Sequence, residues 1–169
     1  MKEVEKMMRI TLKKILYSCH QGIQLRRDGM KWVDRWVQTW PGQLLITASQ
    51  IFWTAEEFQA INTLFDKDKQ DKNKVWKVCR EGKKMFIDEL TKLIKKATSE
   101  TDRLKIIALI TIEVHSRNTI DQLIKFCTSP NSFEWMKQLK FSGSPLPPDS
   151  LDCYIDQTTA RFSSYLYKT

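Results

Sequence analysis

The feature that most restricts this fold is the helical spacing of apolar side chains, which recurs along most of the chain. Between residues 3 and 23 an apolar residue falls every three or four positions, and the basic residues lie mostly off that stripe. This spacing matches the period of an α-helix with one face to bury. Only 5 glycines and 5 prolines are present, too few for a sandwich or barrel rich in tight turns. The stripe consists of Val4, Met8, Leu12, Ile15, Leu16, Cys19 and Ile23.

Tryptophans at four-residue spacing predict a second helix. Trp32, Trp36 and Trp40 would lie along one side of it. Pro41-Gly42 ends this helix, because the residue before a proline avoids the helical conformation. A third helix is predicted to begin at Pro41, a residue type favoured in a first turn. Its inward residues are predicted to be Leu44, Ala48, Ile51, Phe52 and Ala55.

The spacing continues to about residue 127. Thr54 and Glu57 resemble a capping box, which predicts a break near Thr54 and a further helix to Phe65. Residues 75–97 carry another apolar stripe. Residues 104–114 (LKIIALITIEV) are apolar nearly all round, which fits either a buried strand or a buried helix. Their continuation into an amphipathic stretch over 120–127 favours one long helix.

The C-terminal region has a different composition. Residues 129–132 end the helical pattern, and residues 142–150 (SGSPLPPDS) are typical of a loop. Residues 153–155 and 162–167 are predicted to supply strands, which would form a small β-hairpin with residues 136–142. The predicted fold is therefore mainly α, a helical bundle or arm of about five to six helices with a small hairpin near the C-terminus. Residues 1–141 form its helical segment, and residues 142–169 form a loop and short-strand region.

The formal net charge of +8 raises the question of an acidic partner. Residues 66–84 hold eight basic and four acidic side chains, and such a mixed-sign run is usually a solvated face or loop. Tryptophans near basic residues stack nucleic-acid bases in some proteins, but tryptophans at helical spacing more often fill a core. The core interpretation is favoured, so no nucleic acid is predicted as a partner. The basic residues in question are Arg26, Arg27, Lys31 and Arg35.

The chain lacks the sequence patterns of several chemistries. It contains no GxxxxGK[ST] phosphate-binding loop. The two histidines, His20 and His115, and the four cysteines match no zinc spacing. We therefore predict no catalytic, cofactor or metal residues, thiols kept reduced in the cytosol, and a hydrogen-bonded packing role for His115. Residues 36–55 carry no charge but are too polar for a membrane span, so no membrane partner is predicted.

Four stretches together resemble one known family. WVQTWPGQ at residues 36–43, followed by ASQIFWT at 48–54, resembles the linker of dynein heavy chains. ALITIEVHSR at 108–117 and FEWMKQLK at 133–140 are similar to later stretches of the same linker. Residues 4–12 resemble the approach to it, and residues 153–162 resemble the final strand before the ATPase ring. The Pro-Gly-Gln form is more similar to axonemal than to cytoplasmic dyneins.

The chain also departs from that pattern. Asn118 stands where the family has aspartate, and residues 142–150 replace a stretch that usually bears tryptophan. After Phe162 the family continues into its first AAA+ module, whereas this sequence diverges and stops at Thr169. The resemblance is thus to a truncated product or fragment.

The resemblance implies a mechanical role in a microtubule motor. In dyneins the linker is a helical arm across the AAA+ ring that bends and straightens as nucleotide binds to and leaves the first site. It implies a non-enzyme, with the AAA+ ring of a dynein heavy chain or other dynein subunits as partners, microtubules as indirect partners, and the cytoskeleton of a cilium or flagellum as location. The alternative is a free-standing helical interaction module derived from such a heavy chain. The signature positions, given packing and joint-forming roles, are Trp36, Trp40, Pro41, Gly42, Gln43, Ser49, Gln50, Trp53, Thr54, His115, Arg117, Phe133, Glu134 and Trp135.

Overall fold

The computed structural model describes residues 2–24, 32–65, 72–97, 99–146, 149–157 and 160–162. Within them, six helices precede a three-stranded antiparallel sheet of order β1-β2-β3. The predicted fold, mainly α with a small hairpin near the C-terminus, is confirmed. The elements are α1 (Lys2–Gln24), α2 (Trp32–Thr39), α3 (Gly42–Phe65), α4 (Lys72–Lys96), α5 (Glu100–Phe126), α6 (Phe133–Met136), β1 (Lys140–Leu146), β2 (Ser150–Gln157) and β3 (Ala160–Phe162).

Helix α1 is buried over only half of its predicted stripe. Leu16 and Cys19 lie in the core, packed with α3 and β2. Val4, Met8 and Leu12 belong to the same stripe but are exposed, so the expectation of one continuous buried face is wrong there. The physical reason is that no other described element covers the first three turns, and periodicity reports a helix's pattern rather than its neighbours.

The joint between α2 and α3 follows the proline as expected. Helix α2 ends at Thr39, and the carbonyl of Pro41 accepts hydrogen bonds from the N–H groups of Leu44 and Leu45, both at 3.1 Å. The predicted break near Thr54 is wrong, because α3 runs unbroken from Gly42 to Phe65. The Thr54 hydroxyl accepts a hydrogen bond from the backbone of β1 instead of capping a helix.

Helices α4 and α5 form an antiparallel pair. Ion pairs join Arg80 to Asp121 and Lys83 to Glu113, so later positions of α4 face earlier positions of α5. The prediction of one long helix over residues 104–127 is confirmed, and the strand alternative is wrong. Leu104 is exposed, however, so the apolar first half of α5 buries one face rather than all of its surface.

Two apolar clusters make up the core. The first lies among α1, α2, the starts of α3 and α5, the C-terminal part of α4 and the sheet. The second lies among the ends of α3 and α5, the start of α4, and α6. Helices α3, α4 and α5 contribute to both clusters, which makes them the frame of the molecule. The second cluster consists of Trp53, Ile61, Leu64, Trp76, Ile120, Leu123 and Trp135.

The sheet extends further than the sequence indicates. Residues 142–146, predicted as loop, belong to β1 and pair with β2 in the register Gly143↔Cys153. Gly143 permits this packing, since a Cβ there would lie 3.1 Å from both Ile51 and Leu151. Turn-like composition therefore marked a close approach of backbone to core. Of the strand predicted at residues 162–167, Phe162 ends β3, and residues 163–167 lie outside the described residues.

The uncharged stretch over residues 36–55 contributes to α2 and α3 of this bundle. None of the helices that the structure describes is long and apolar enough to cross a membrane.

Candidate functional site

A layer of buried polar side chains separates the two apolar clusters. Ser49 and Glu57 come from α3, Lys83 from α4 and Glu113 from α5, and all four are buried. We call these four residues the polar layer. On α4 and α5, Lys83 and Glu113 lie between the positions that enter the first cluster and those that enter the second, whereas on α3 Ser49 lies beside the last positions of the first cluster and Glu57 beside the first positions of the second. The layer therefore lies inside the frame rather than at its surface.

Glu113 is the centre of the layer, because both of its carboxylate oxygens are engaged. Lys83 Nζ donates to Oε2 at 3.0 Å, and the Ser49 hydroxyl donates a short hydrogen bond to Oε1. Lys83 Nζ also lies 3.9 Å from a carboxylate oxygen of Glu56, which is partly exposed. One buried carboxylate thus joins α3, α4 and α5. Charge-assisted hydrogen bonds of this kind are stronger than those between neutral groups.

Lys83 corrects the interpretation of the mixed-sign run. Residues 66–84 were expected to be a solvated face or loop, but α4 begins at Lys72 and the Lys83 residue is only 2% exposed. The apolar positions of α4 alternate by four and three residues through Cys79, Phe86 and Leu90, and Lys83 occupies a position in that series. The position of Lys83 in this apolar series indicates burial, although the neighbouring residues in the sequence are mostly charged.

Glu57 is the anomalous member of the layer. It is fully buried, and neither carboxylate oxygen has a hydrogen-bond partner among the described residues. Burial raises the pKa of Glu57 to about 7, while the positive charge of Lys83 opposes the rise and the negative charge of Glu56 adds to it. The expected capping box of Thr54 and Glu57 is wrong, because Glu57 lies in the middle of α3 and not in the first turn of a helix.

The layer does not resemble an activated nucleophile. Burial, together with the negative charges of Glu57 and Glu56, raises the pKa of the neighbouring Cys79 to about 12. A thiol with such a pKa stays protonated and weakly reactive at neutral pH. Over the part of the chain that the structure describes, no three His, Cys, Asp or Glu side chains are placed to hold a metal ion. The chemistry of the layer is charge pairing between helices.

The tryptophans of α2 pack inside the first cluster. Trp36 Nε1 donates a hydrogen bond of 3.0 Å to the carbonyl of Cys19 on α1. The Trp32 ring lies 5.4 Å from that of Trp36 and stacks on Phe86 at 6.0 Å. Trp40 packs against the same cluster while partly exposed. A buried Trp36 has no open face for a base, so the core interpretation holds, whereas residues 26, 27 and 31 lie outside the described ranges.

Signature residues from two distant stretches meet in the second cluster. The rings of Trp53 and Trp135 lie 6.4 Å apart, and Lys140 Nζ lies 4.7 Å from the centre of the Trp135 ring. Beside them, Thr54 Oγ1 accepts the N–H of Phe141 at 3.1 Å. These contacts attach α6 and β1 to α3.

The other signature positions lie at joints or on the surface. Pro41 and Gln43 are exposed, and Gly42 and Gln50 are partly buried. His115 is exposed on α5, so the expectation of a packing histidine is wrong, because its side chain points away from the stripe that contains Glu113. Arg117 donates to the side chain of Asn118 at 3.2 Å. Phe133 is exposed on α6, where Glu134 pairs with Lys137.

Sequence reasoning thus found part of the layer. Ser49 is one of the signature positions, whereas Glu113 lies in the family-like stretch over residues 108–117 but is not a signature position. Lys83 and Glu57 were missed, the first as part of a charged run and the second as a cap. The structure brings all four together at the level where α3, α4 and α5 pack against one another.

These features define a helical, aromatic-rich framework protein whose buried charges connect helices. No protein-family model matches the chain. The chain is 37% identical to dynein axonemal heavy chain 2 of Homo sapiens over 161 residues. The aligned region is 95% of this chain and 3% of that protein. The chain is 35% identical over 160 residues to the dynein-1-beta heavy chain of the flagellar inner arm I1 complex of Chlamydomonas reinhardtii. Here the aligned region is 94% of this chain and 3% of that protein.

A third relative comes from a different arm. Over 132 residues the chain is 33% identical to the dynein alpha chain of the flagellar outer arm of Chlamydomonas reinhardtii. These residues are 76% of this chain and 3% of that protein. Along nearly its whole length, therefore, this chain is homologous to axonemal dynein heavy chains, as the resemblance predicted. It spans about 3% of the length of these relatives.

Proposed function

We propose that this chain is a non-catalytic mechanical element equivalent to part of a dynein linker, coupled to AAA+ ATP hydrolysis located outside the chain. The observation that carries the proposal is the polar layer. It joins three helices of 24, 25 and 27 residues through the single carboxylate of Glu113. Helices of these lengths extend roughly 36–40 Å, long enough to carry a displacement across a small domain.

A lever must resist sliding between its parts. Apolar side chains on facing helices can exchange neighbours at modest cost, whereas a buried ion pair has one favourable partner geometry. Separating Lys83 from Glu113 without replacement would leave charges in a dry interior, at a cost of about 3–5 kcal/mol. The two close-packed clusters on either side resist compression. Sliding of α4 against α3 and α5 is therefore opposed by both packing and charge.

The similarity to axonemal and flagellar heavy chains supports a location in the cytoskeleton of cilia or flagella. As partners we propose the AAA+ ring of a dynein heavy chain or other dynein subunits, with microtubules reached only through the motor. We further propose that the chain alone does not hydrolyse ATP, because its sequence has no phosphate-binding loop. A nucleotide would then act on this element only through a neighbouring module.

The proposal is tested by a chimera. The homologous segment of an axonemal heavy chain motor is replaced by this full chain, and microtubule-stimulated ATPase and gliding velocity are both measured. We expect the chimera to glide, and Lys83→Met within it to retain basal ATPase while losing most gliding velocity. Lys84→Met, at an exposed neighbouring position, is the matched control and should glide normally.

Two results would overturn the proposal. A chimera that hydrolyses ATP but never moves microtubules, although its motor is folded, would show that the chain is no linker equivalent. ATP turnover by the isolated chain that follows the protein through purification would show that it is itself an enzyme.

A further inference from the structure

The first three turns of α1 extend beyond the rest of the described structure. Every residue from Lys2 to Met8 is exposed. The apolar residues Val4, Met7, Met8 and Leu12 are between 49% and 65% exposed. They form one shallow apolar surface that Glu3 and Thr11 also line. We call residues 2–15 the α1 arm. An apolar stripe of this kind on an exposed stretch of helix is typical of a surface that a second helix covers.

The charges beside the stripe indicate which helix fits. At 100° per residue, Glu3 and Lys14 lie on one flank of the stripe, and Glu5 and Arg9 lie on the other. On both flanks the acidic residue is nearer the N-terminus and the basic residue follows it. Since each flank carries both signs, neither a wholly acidic nor a wholly basic partner is favoured.

In an antiparallel helix pair, equivalent flanks of the two helices face each other. A second α1 arm would therefore place Glu3 opposite Lys14 of the other copy, and the reverse pair would form by symmetry. The opposite flank brings the Glu5 and Arg9 side chains of the two copies together. In a parallel pair, unlike flanks would meet, and Glu3 would face the flank on which Glu5 and Arg9 already pair with each other. The antiparallel arrangement therefore brings the unlike charges of Glu3 and Lys14 together, which the parallel arrangement does not.

From this geometry we propose that the α1 arm is a self-association surface, on which two copies of this chain pair antiparallel about a two-fold axis near Met8. Val4 of one copy packs against Leu12 of the other. This surface is separate from the polar layer and does not depend on the mechanical role. With about four apolar side chains per copy, the buried area is roughly half that of a standard interface. The dimer is accordingly weak, with a dissociation constant on the order of 100 µM.

The test is sedimentation equilibrium of the full chain from about 10 µM to 1 mM. We expect reversible dimerisation that Met8→Glu weakens at least ~30-fold, because the symmetric interface then buries two unpaired carboxylates. Met85→Glu is the matched control, since Met85 is 58% exposed on α4 and Met8 is 61% exposed. It should leave the dissociation constant within about two-fold. Far-ultraviolet circular dichroism of both variants checks that they keep their helices.

Orientation is tested by Glu3→Lys. In the antiparallel pair this change places lysine opposite Lys14 and weakens dimerisation by about two- to five-fold, whereas in a parallel pair Lys14 does not lie opposite and dimerisation would not weaken. Adding Lys14→Glu to the same chain should restore the original affinity. A chain that stays monomeric to 1 mM, a dimer that responds equally to Met8→Glu and Met85→Glu, or association that Glu3→Lys leaves unchanged or tightens would each overturn the proposal.

Discussion

Replacing Lys83 with methionine removes the ammonium group but keeps an unbranched side chain of similar length in the same space. Glu113, only 1% exposed, then retains the Ser49 hydroxyl and loses its positive partner. Leaving a buried charge unpaired costs about 3–5 kcal/mol. For a chain of this size each kcal/mol shifts the melting temperature by about 2–4 °C. Lys83→Met should therefore lower it by about 6–20 °C.

The pairing is isolated by a double-mutant cycle. Glu113→Gln keeps the shape of the side chain and an acceptor for Ser49, and Lys83 keeps Glu56 at 3.9 Å, so we expect a loss of about 1–3 kcal/mol. The double variant Lys83→Met/Glu113→Gln should be less destabilised than the two losses added together, by at least ~2 kcal/mol. Lys84→Met, the exposed neighbour, should change stability by less than about 0.5 kcal/mol.

Stability is measured by urea unfolding followed by circular dichroism at 222 nm, with thermal melts as a second probe. The linear extrapolation also gives the slope with denaturant, which should be the same for all variants. Two outcomes would refute this reasoning. One is a loss below about 1 kcal/mol for Lys83→Met, and the other is a cycle that is additive within about 0.5 kcal/mol. Either would mean that the charges in the layer interact with solvent rather than with each other.

Two further predictions concern Glu57 and two helical glycines. Because the pKa of Glu57 is raised from 4.5 to about 7, the folded chain holds a proton between these values that the unfolded chain releases. The free energy of unfolding should fall by up to about 3 kcal/mol as pH rises through that range and level off above it. Urea unfolding of the wild type and of Glu57→Gln at pH 5 and pH 8 measures this fall, and Glu57→Gln should remove it. An equal fall in both proteins would mean that Glu57 is not the group that binds the proton. Gly22→Ala should destabilise by about 1–2 kcal/mol, since its Cβ would lie 2.9 Å from a buried Trp36 ring atom. Gly82→Ala, with no atom near its Cβ, should stabilise by about 0.5–1 kcal/mol, and equal melting shifts would count against the contact.

The helices were predictable because each has an apolar stripe that local spacing reveals. Helices α4 and α5 were located to within a few residues by that spacing alone. Spacing does not report which neighbour covers a stripe, so the exposed half of α1 was predicted to be buried. The helix break predicted at Thr54 is wrong for a different reason: a capping box and a buried helical turn can have the same sequence, and only the tertiary contact distinguishes them. Here β1 approaches α3, and the threonine hydroxyl bonds to that strand.

The polar layer could be predicted only in part, and the reason is physical. Ser49 and Glu113 stand within stretches that resemble a known family, so they entered by resemblance. Lys83 is surrounded in the sequence by charged residues that are exposed, so the composition of the run predicts that Lys83 is exposed as well. A buried lysine is stable only where a carboxylate meets it, and its partner is 30 positions away on the next helix. Pairing at that distance is a property of the fold.

The location of the layer bears on why it is polar. An apolar seam at the same place would join the two clusters into one longer core and would stabilise the bundle as well or better. Such a seam would also leave α4 free to find nearly equivalent packings one turn apart. The Glu113 carboxylate, bonded from two other helices, permits one register. For an element that transmits displacement, the role we propose for this chain, a fixed register is worth more than added stability, because any sliding between its helices would reduce the displacement transmitted.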